Sequence, residues 1–272
     1  MLQRGSAWRG WALAIAWVVA SGTWSAATAA NGTPKVKITA YINESSGCQE
    51  ATIKYLKAFA AKHPRDVALE IVDFGSAAGA ERWQADGYHC QAIVINGATQ
   101  FRVGSGQAAH VTRFEMPEGV RWSFADMNTV LAQELRAPGT SAVSDEDLEK
   151  LARQAGVGWR KTVWSGKVSG EVIVGAQVVF RFNKGFGGKS AVQRAQAAAA
   201  VLKRLYQAGL RAEEIRARTR KVNGEAVGVI EARGQGVTVV TDTEADLMQR
   251  PPLQVAQVWA LNLRDALRCA GR

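Results

Sequence analysis

Two kinds of apolar spacing alternate between residues 35 and 136, and that alternation restricts the chain to a layered α/β arrangement. Residues 35–42 (KVKITAYI) switch between apolar and polar side chains and are rich in β-branched residues, the signature of a strand. Turn-forming residues follow from Asn43 to Gly47. The period then changes: Ile53, Leu56, Phe59 and Ala60 fall on one face of a helix that stops at His63-Pro64. Residues 67–74 (VALEIVDF) are a second strand, Gly75–Gly79 a loop, and residues 80–85 a short helix. Residues 91–95 (QAIVI) predict a third strand that turns at Asn96-Gly97 into a fourth at 100–103, paired with it as a hairpin. Ser123 with Asp126 three residues on starts a last helix through about Leu135.

The first 29 residues stand apart. Arg4 and Arg9 precede an uncharged apolar run from Trp11 to Ala20, and Ala27-Thr28-Ala29 is a small-residue cleavage site. This is the layout of a cleavable secretory signal peptide. A spanning helix needs about twenty apolar residues, so a membrane anchor is disfavoured. The expected location is periplasmic or otherwise extracytoplasmic. Export leaves nucleic acid out as a target and makes disulfides chemically permissible.

Residues 137–147 (APGTSAVSDED) are rich in Pro, Gly, Ser and acid, which places a linker there. It divides an N-terminal domain, 35–136, from a C-terminal α+β domain, 148–272. Charge divides similarly. Residues 30–150 hold twelve basic and fifteen acidic side chains, whereas 151–272 hold twenty and nine. A basic exported domain points to an anionic membrane or wall surface or an acidic partner, or else to a well-solvated surface with no partner. In this half a short helix is expected at about 145–155 and an extended run at 171–182. Ser190 caps a long helix to about Gln207, and Gly209 stops it. Strands at about 225–232 and 236–241 and a helix from about Leu253 to Leu267 close the chain.

Of the three cysteines, Cys48 stands where the first strand gives way to the first helix, and Cys90 stands just before the third strand. Cys269 is the odd thiol. A thiol in the first helical turn meets the positive end of the helix dipole, which favours the thiolate, although Glu50 opposes this.

The segments KVKITAYI, SSGCQEATIKYLKAF, ALEIVDF and GYHCQAIVING together resemble the thioredoxin-fold family. That family carries two cysteines at the helix start and a cis-proline before the third strand. Here Ser45 occupies the first cysteine position, Cys48 the second, and His89-Cys90 the proline loop. The resemblance implies that Cys48 and Cys90 are close in space. Three readings follow: a structural disulfide worth roughly 3–4 kcal/mol, a reversible redox pair, or a metal site with His89 added. The third lacks any usual ligand spacing, so no metal and no cofactor is expected.

Other residues carry weaker signals. His63 reads as an exposed helix-end residue, and His110 as a loop residue with no role. Asp73 is either a buried acid beneath the thiol or a surface strand end. Asn183–Ser190 (NKGFGGKS) fails the phosphate-loop pattern because Asn183 stands where glycine is required. Lys184, Lys189 and Ser190 remain candidates for holding an anion at a helix start, against a plain strand-to-helix turn. Arg216, Arg218, Arg220 and Lys221 read as a guarded strand edge or an anionic-surface contact. Trp159 and Trp164 flank Arg160 and Lys161 and read as packing or as part of such a surface. Gly188-Lys189-Ser190 with Arg194-Ala195, Thr241-Asp242-x-x-Ala245, and a final helix around Trp259 is similar to extracytoplasmic domains of bacterial mechanosensitive-channel-like proteins. That resemblance implies a binding or assembly role.

The sequence therefore predicts an α/β chain: a thioredoxin-like domain, then a small basic α+β domain, after a signal peptide. The expected function is thiol–disulfide exchange or a redox switch at the cell envelope through Cys48 and Cys90, with a protein thiol or envelope protein as partner. The alternative is a noncatalytic envelope binding or assembly factor with a structural disulfide.

Overall fold

β1 (Val36–Ile42) is the centre of a three-stranded sheet ordered β2-β1-β3. It pairs parallel with β2 (Val67–Asp73) and antiparallel with β3 (Ala92–Ile95). A parallel pair needs a crossover, and α1 (Glu50–Lys62) supplies it. α2 (Ala77–Ala85), capped by the Ser76 hydroxyl, leads from β2 to β3. The period of two sorts β1 between two cores. Val36, Ile38, Ala40 and Ile42 face the larger core with Leu56, while Tyr41 faces Val72, Ala92 and the half-buried Trp83. The computed structural model describes residues 33–104, 109–164, 166–222 and 224–272. The expected signal peptide, residues 1–29, lies outside the described residues.

The Asn96-Gly97 turn is present, with left-handed φ of 49° and 86°, as a two-residue hairpin turn requires. The expected hairpin lasts a single rung, Ile95 to Ala98. β4 (Gln100–Val103) then leaves β3 and pairs antiparallel with β5 (His110–Arg113), a strand where the sequence reads as loop. The reason is long-range: β5 in turn bonds β8, so β4 and β5 join a five-stranded sheet ordered β4-β5-β8-β7-β6. The expected single run at 171–182 is instead two strands, β7 (Lys167–Val174) and β8 (Gln177–Phe182). They turn at Gly175-Ala176, where φ is 55° and 66°. β6 (Val157–Trp164) is the outer strand and contains Trp159 and Trp164.

This sheet crosses the segment 137–147, marked by composition as a linker. That segment hydrogen-bonds along β4, with Arg102 N–H donating to the Ser141 carbonyl and Val143 N–H to the Gln100 carbonyl. Thr33–Arg272 is one compact unit. α3 (Phe124–Arg136), with the Ser123–Asp126 reciprocal cap, precedes segment 137–147, and α4 (Asp145–Gln154), capped by Ser144, follows it.

A third sheet is ordered β11-β10-β9, from β9 (Ile215–Val222), β10 (Glu225–Ala232) and β11 (Gln235–Val240). α6 (Asp242–Leu247) follows it. α7 (Pro252–Cys269) packs on β9, β10 and β8, and its Trp259 stacks on Phe180 at 5.4 Å and meets Phe182 edge-on at 5.2 Å. α5 (Ala191–Gln207) covers β6 and β7. Two glycines set these contacts. A Cβ on Gly170 would come within 2.5 Å of the Ala191 carbonyl, and one on Gly228 within 2.3 Å of the Pro252 carbonyl. The architecture is a mixed α/β chain, as the alternating periods predict.

Candidate functional site

Cys48 lies in a 3-10 turn, Gly47–Gln49, that runs directly into α1. A local bond network holds this turn. Asn43 N–H donates to Gln49 Oε1 at 2.8 Å, and Asn43 Oδ1 accepts from both the N–H and the hydroxyl of Ser45. Asp73 is neither a buried acid nor a bare strand end. Its Oδ1 accepts from Glu44 N–H at 3.1 Å and Gly75 N–H at 2.9 Å, tying the end of β2 to the cysteine turn. The Cys48 thiol is exposed, and the Ser46 hydroxyl stands 3.0 Å from its sulfur.

Cys90 is half-buried on the loop into β3, where Trp83 Nε1–H bonds its carbonyl at 3.0 Å. Burial pushes its thiol pKa up. The Gln91 backbone and the positive charges of Arg250 and Arg121 act the other way, and a charge on Cys48 adds to the rise. The two cysteines open into neighbouring cavities, of about 280 Å³ for Cys48 and about 360 Å³ for Cys90, with Met116 in both walls. Met116 holds a left-handed φ of 70°, which costs on the order of 1 kcal/mol. Its N–H bonds the Gln91 carbonyl, and its carbonyl accepts Trp122 Nε1–H at 2.8 Å. The C-terminal half completes both cavities: Leu247 and Arg250 line the first and Leu261 the second. Leu247 and Leu261 are among the few large apolar side chains left exposed.

All three cysteines are free thiols, and Cys269 lies in the last turn of α7 against Leu148 and Val111. His89 is exposed, and among the described residues no group of three or more His, Cys, Asp or Glu side chains could hold a metal.

His110, read from sequence as partnerless, is 1 % exposed and sits in a buried ion network. Its Nε2 lies 3.2 Å from Asp126 Oδ1 and its Nδ1 2.7 Å from Arg160 Nη1. Arg181 Nε donates to Glu171 Oε1 at 2.6 Å, and Arg160 bonds the other oxygen. Burial opposes the charge on Asp126, but His110 and the two guanidiniums outweigh it and hold its carboxyl well below the usual range. Asp126 is thus both a helix cap and the tie between α3 and the β6–β8 strands. No local pattern reveals this, because its partners lie 16 to 55 residues away. His63 is a half-buried helix-end residue that rests on Phe59.

The Gly-rich stretch is a tight turn. Gly187 and Gly188 take φ of 59° and 75°, and Phe186 and Lys189 exchange backbone bonds across them. Lys184 and Lys189 are exposed. Ser190 caps α5, its hydroxyl accepting Gln193 N–H and its own N–H bonding Gln193 Oε1. The Arg194 and Thr241–Ala245 pattern is also structural. Arg194 is 5 % exposed, bonds Glu244 Oε1, and donates to the Lys184 and Val239 carbonyls at 2.7 and 2.9 Å. Glu244 returns to cap Thr241 N–H at 3.0 Å. Arg218 and Arg220, on edge strand β9, pair with Glu231 on the neighbouring β10.

Residues 171–270 match a family model described as a domain of unknown function, DUF8459. No curated protein and no solved structure matches the chain. The matched stretch begins at buried Glu171 and ends beside Cys269, so it takes in Arg181, the Arg194–Glu244 pair and the Leu247–Leu261 wall of the thiol cavities. Among the described residues no helix is long and apolar enough to cross a membrane.

Proposed function

We propose that this chain is an exported, thioredoxin-like thiol–disulfide exchange protein of the cell envelope, with Cys48 and Cys90 as its redox pair. One observation carries the reading: two cysteines 42 positions apart in sequence open into cavities that share Met116, one thiol exposed and the other half-buried. The strand order β2-β1-β3, parallel then antiparallel, with α1 leaving β1 through the Cys48 turn, supports the thioredoxin-like scaffold. Arg4, Arg9 and the apolar run to Ala20 support export, and the basic excess of 151–272 supports docking on an anionic envelope surface or an acidic protein.

In the reaction, the Cys48 thiolate attacks one sulfur of a partner disulfide. The partner S–S bond breaks, a mixed disulfide forms, and the departing sulfur leaves as a thiolate that takes a proton from water. Cys90 then gives its proton to water and attacks Cys48 Sγ. The Cys48–Cys90 bond forms as the mixed disulfide breaks, so the partner gains two electrons and the pair loses two. The raised pKa of Cys90 suits the second position, because a half-buried thiol is the poorer first nucleophile.

The Ser-Ser-Gly-Cys sequence at 45–48, with no Cys-x-x-Cys, favours the rival class, a noncatalytic binding or assembly factor. The reduction potential of the pair separates them, measured by thiol trapping across glutathione buffers in a Cys269→Ser background. A value above about −250 mV is expected for exchange, and a value below about −300 mV makes the pair structural.

A further inference from the structure

We infer that the antiparallel pair β6–β7, with the start of α5 beside it, is a docking face for an anionic lipid bilayer. Among the described residues five large apolar side chains are exposed, and two of them, Leu247 and Leu261, line the thiol cavities. The other three share this place: Trp159 is 44 % exposed, Val163 55 % and Val168 49 %. Side chains two apart on a strand share a face, so Trp159, Lys161 and Val163 stand in one row on β6, and Val163 lies opposite Val168 on β7. β6 ends the sheet order, so the row runs along an open edge. A lone edge is normally guarded by charge and kept free of large apolar groups. Here apolar and cationic side chains alternate instead, so guarding the edge does not account for them.

The surrounding charge is of one sign. Between Val157 and Ala212 the only acidic residue is Glu171, which is buried and paired with Arg160 and Arg181. Lys161, Lys167, Lys184 and Lys189 are exposed, and among the described residues the lysines in ion pairs are Lys35 and Lys54. The fold gathers the exposed ones. Gly170, opposite Lys161, lies so close under α5 that a Cβ there would reach within 2.5 Å of the Ala191 carbonyl, which brings Lys189 to the same end of the sheet. The Ser169 hydroxyl donates to Asn183 Oδ1 at 2.9 Å and holds the turn carrying Lys184 there as well. Protein–protein interfaces are depleted in lysine and favour arginine, whereas an ammonium on a flexible stem suits lipid phosphates. Trp159 and the two valines supply the apolar groups that a bilayer interface takes up beneath that charge. Such docking rests on the proposed export to the envelope and not on the thiol pair, so its failure would leave the reduction potential untouched.

The chain from residue 30 onward is floated with vesicles of phosphatidylcholine alone and of phosphatidylcholine with phosphatidylglycerol in equal parts. Thr33–Arg272 is one compact unit, and the apolar run before it would bind lipid by itself. Binding to the anionic vesicles only, weakened by salt, is expected. Each ammonium near an anionic surface contributes about fivefold, so Lys161→Gln with Lys167→Gln should weaken binding about 25-fold. Lipid brominated along its acyl chains should quench the tryptophan fluorescence of the bound chain, and Trp159→Phe should remove that quenching. No binding to the anionic vesicles, or equal binding by the lysine variant, overturns the proposal. Binding without Trp159-dependent quenching is contact through charge alone, which overturns insertion at this face and leaves an acidic protein as the partner of these lysines.

Discussion

At the scale of single residues, the two thiols are made different by their surroundings. Cys48 is open to solvent beside the Ser46 hydroxyl, whereas Cys90 is half-buried with its thiol pKa pushed up. Alkylation at pH 8 is therefore expected to modify Cys48 at least about tenfold faster than Cys90, read by mass spectrometry of timed aliquots. Equal rates would contradict the burial described. Glu134 shows the opposite balance. Burial alone would raise its pKa, but bonds from the Ser141 hydroxyl, Gly139 N–H and Asn96 Nδ2 prevail and lower it. A depressed carboxyl pKa contributes stability that is full above the unfolded-state value and is lost as pH falls through the folded one. Glu134→Gln should cost about 2 kcal/mol at pH 7 in denaturant titrations. The gap to wild type should close below about pH 4, where the unfolded carboxyl is itself protonated.

At the scale of elements, helix-on-sheet contacts rest on missing side chains. α7 crosses β10 so closely that a Cβ on Gly228 would collide with the Pro252 carbonyl and the Ala256 methyl. The first of these is backbone and cannot rotate away. Gly228→Ala should lower stability by about 3 kcal/mol through displacement of α7. A thermal scan showing an unchanged Tm would mean that the helix does not sit where described. The same displacement would move Leu261 at the Cys90 cavity, so thiol reactivity should change with it.

At the scale of the whole molecule, the two sequence halves are one structure. The five-stranded sheet takes β4 and β5 from the first half and β6–β8 from the second, and the buried His110–Asp126 pair depends on Arg160 and Arg181. Removing one side of a buried ion network leaves uncompensated charge, at about 3–5 kcal/mol. A chain ending at residue 136 would expose β5 and strand Asp126 without its guanidiniums. It is expected to lack a cooperative unfolding transition by circular dichroism, and a sharp transition would show instead that the first half folds alone. The thiol cavities have the same dependence, since Leu247, Arg250 and Leu261 come from the half matched by the DUF8459 model.

What could be read from the chain alone is what is decided within a few residues. The Ser123–Asp126 and Ser190–Gln193 caps, the Asn96-Gly97 turn, the stop at Gly209 and the helical faces of α1 and α7 all follow from contacts three or four positions apart. Their geometry is local, so composition and spacing reveal it. The placement of Cys48 before a helix and Cys90 before a strand was equally legible. Strand partnership was not. Asn96-Gly97 predicts a hairpin equally well whether β4 stays on β3 or departs after one rung, and only β8, where Gln177 meets Val111, offers β5 the pairing that draws β4 away. His110 and Asp126 look ordinary in sequence because a buried charge is defined by its partners, and these arrive from three other elements. Tertiary structure alone decided those pairings, because backbone ladders and ion networks are satisfied by whichever segments the whole core brings together.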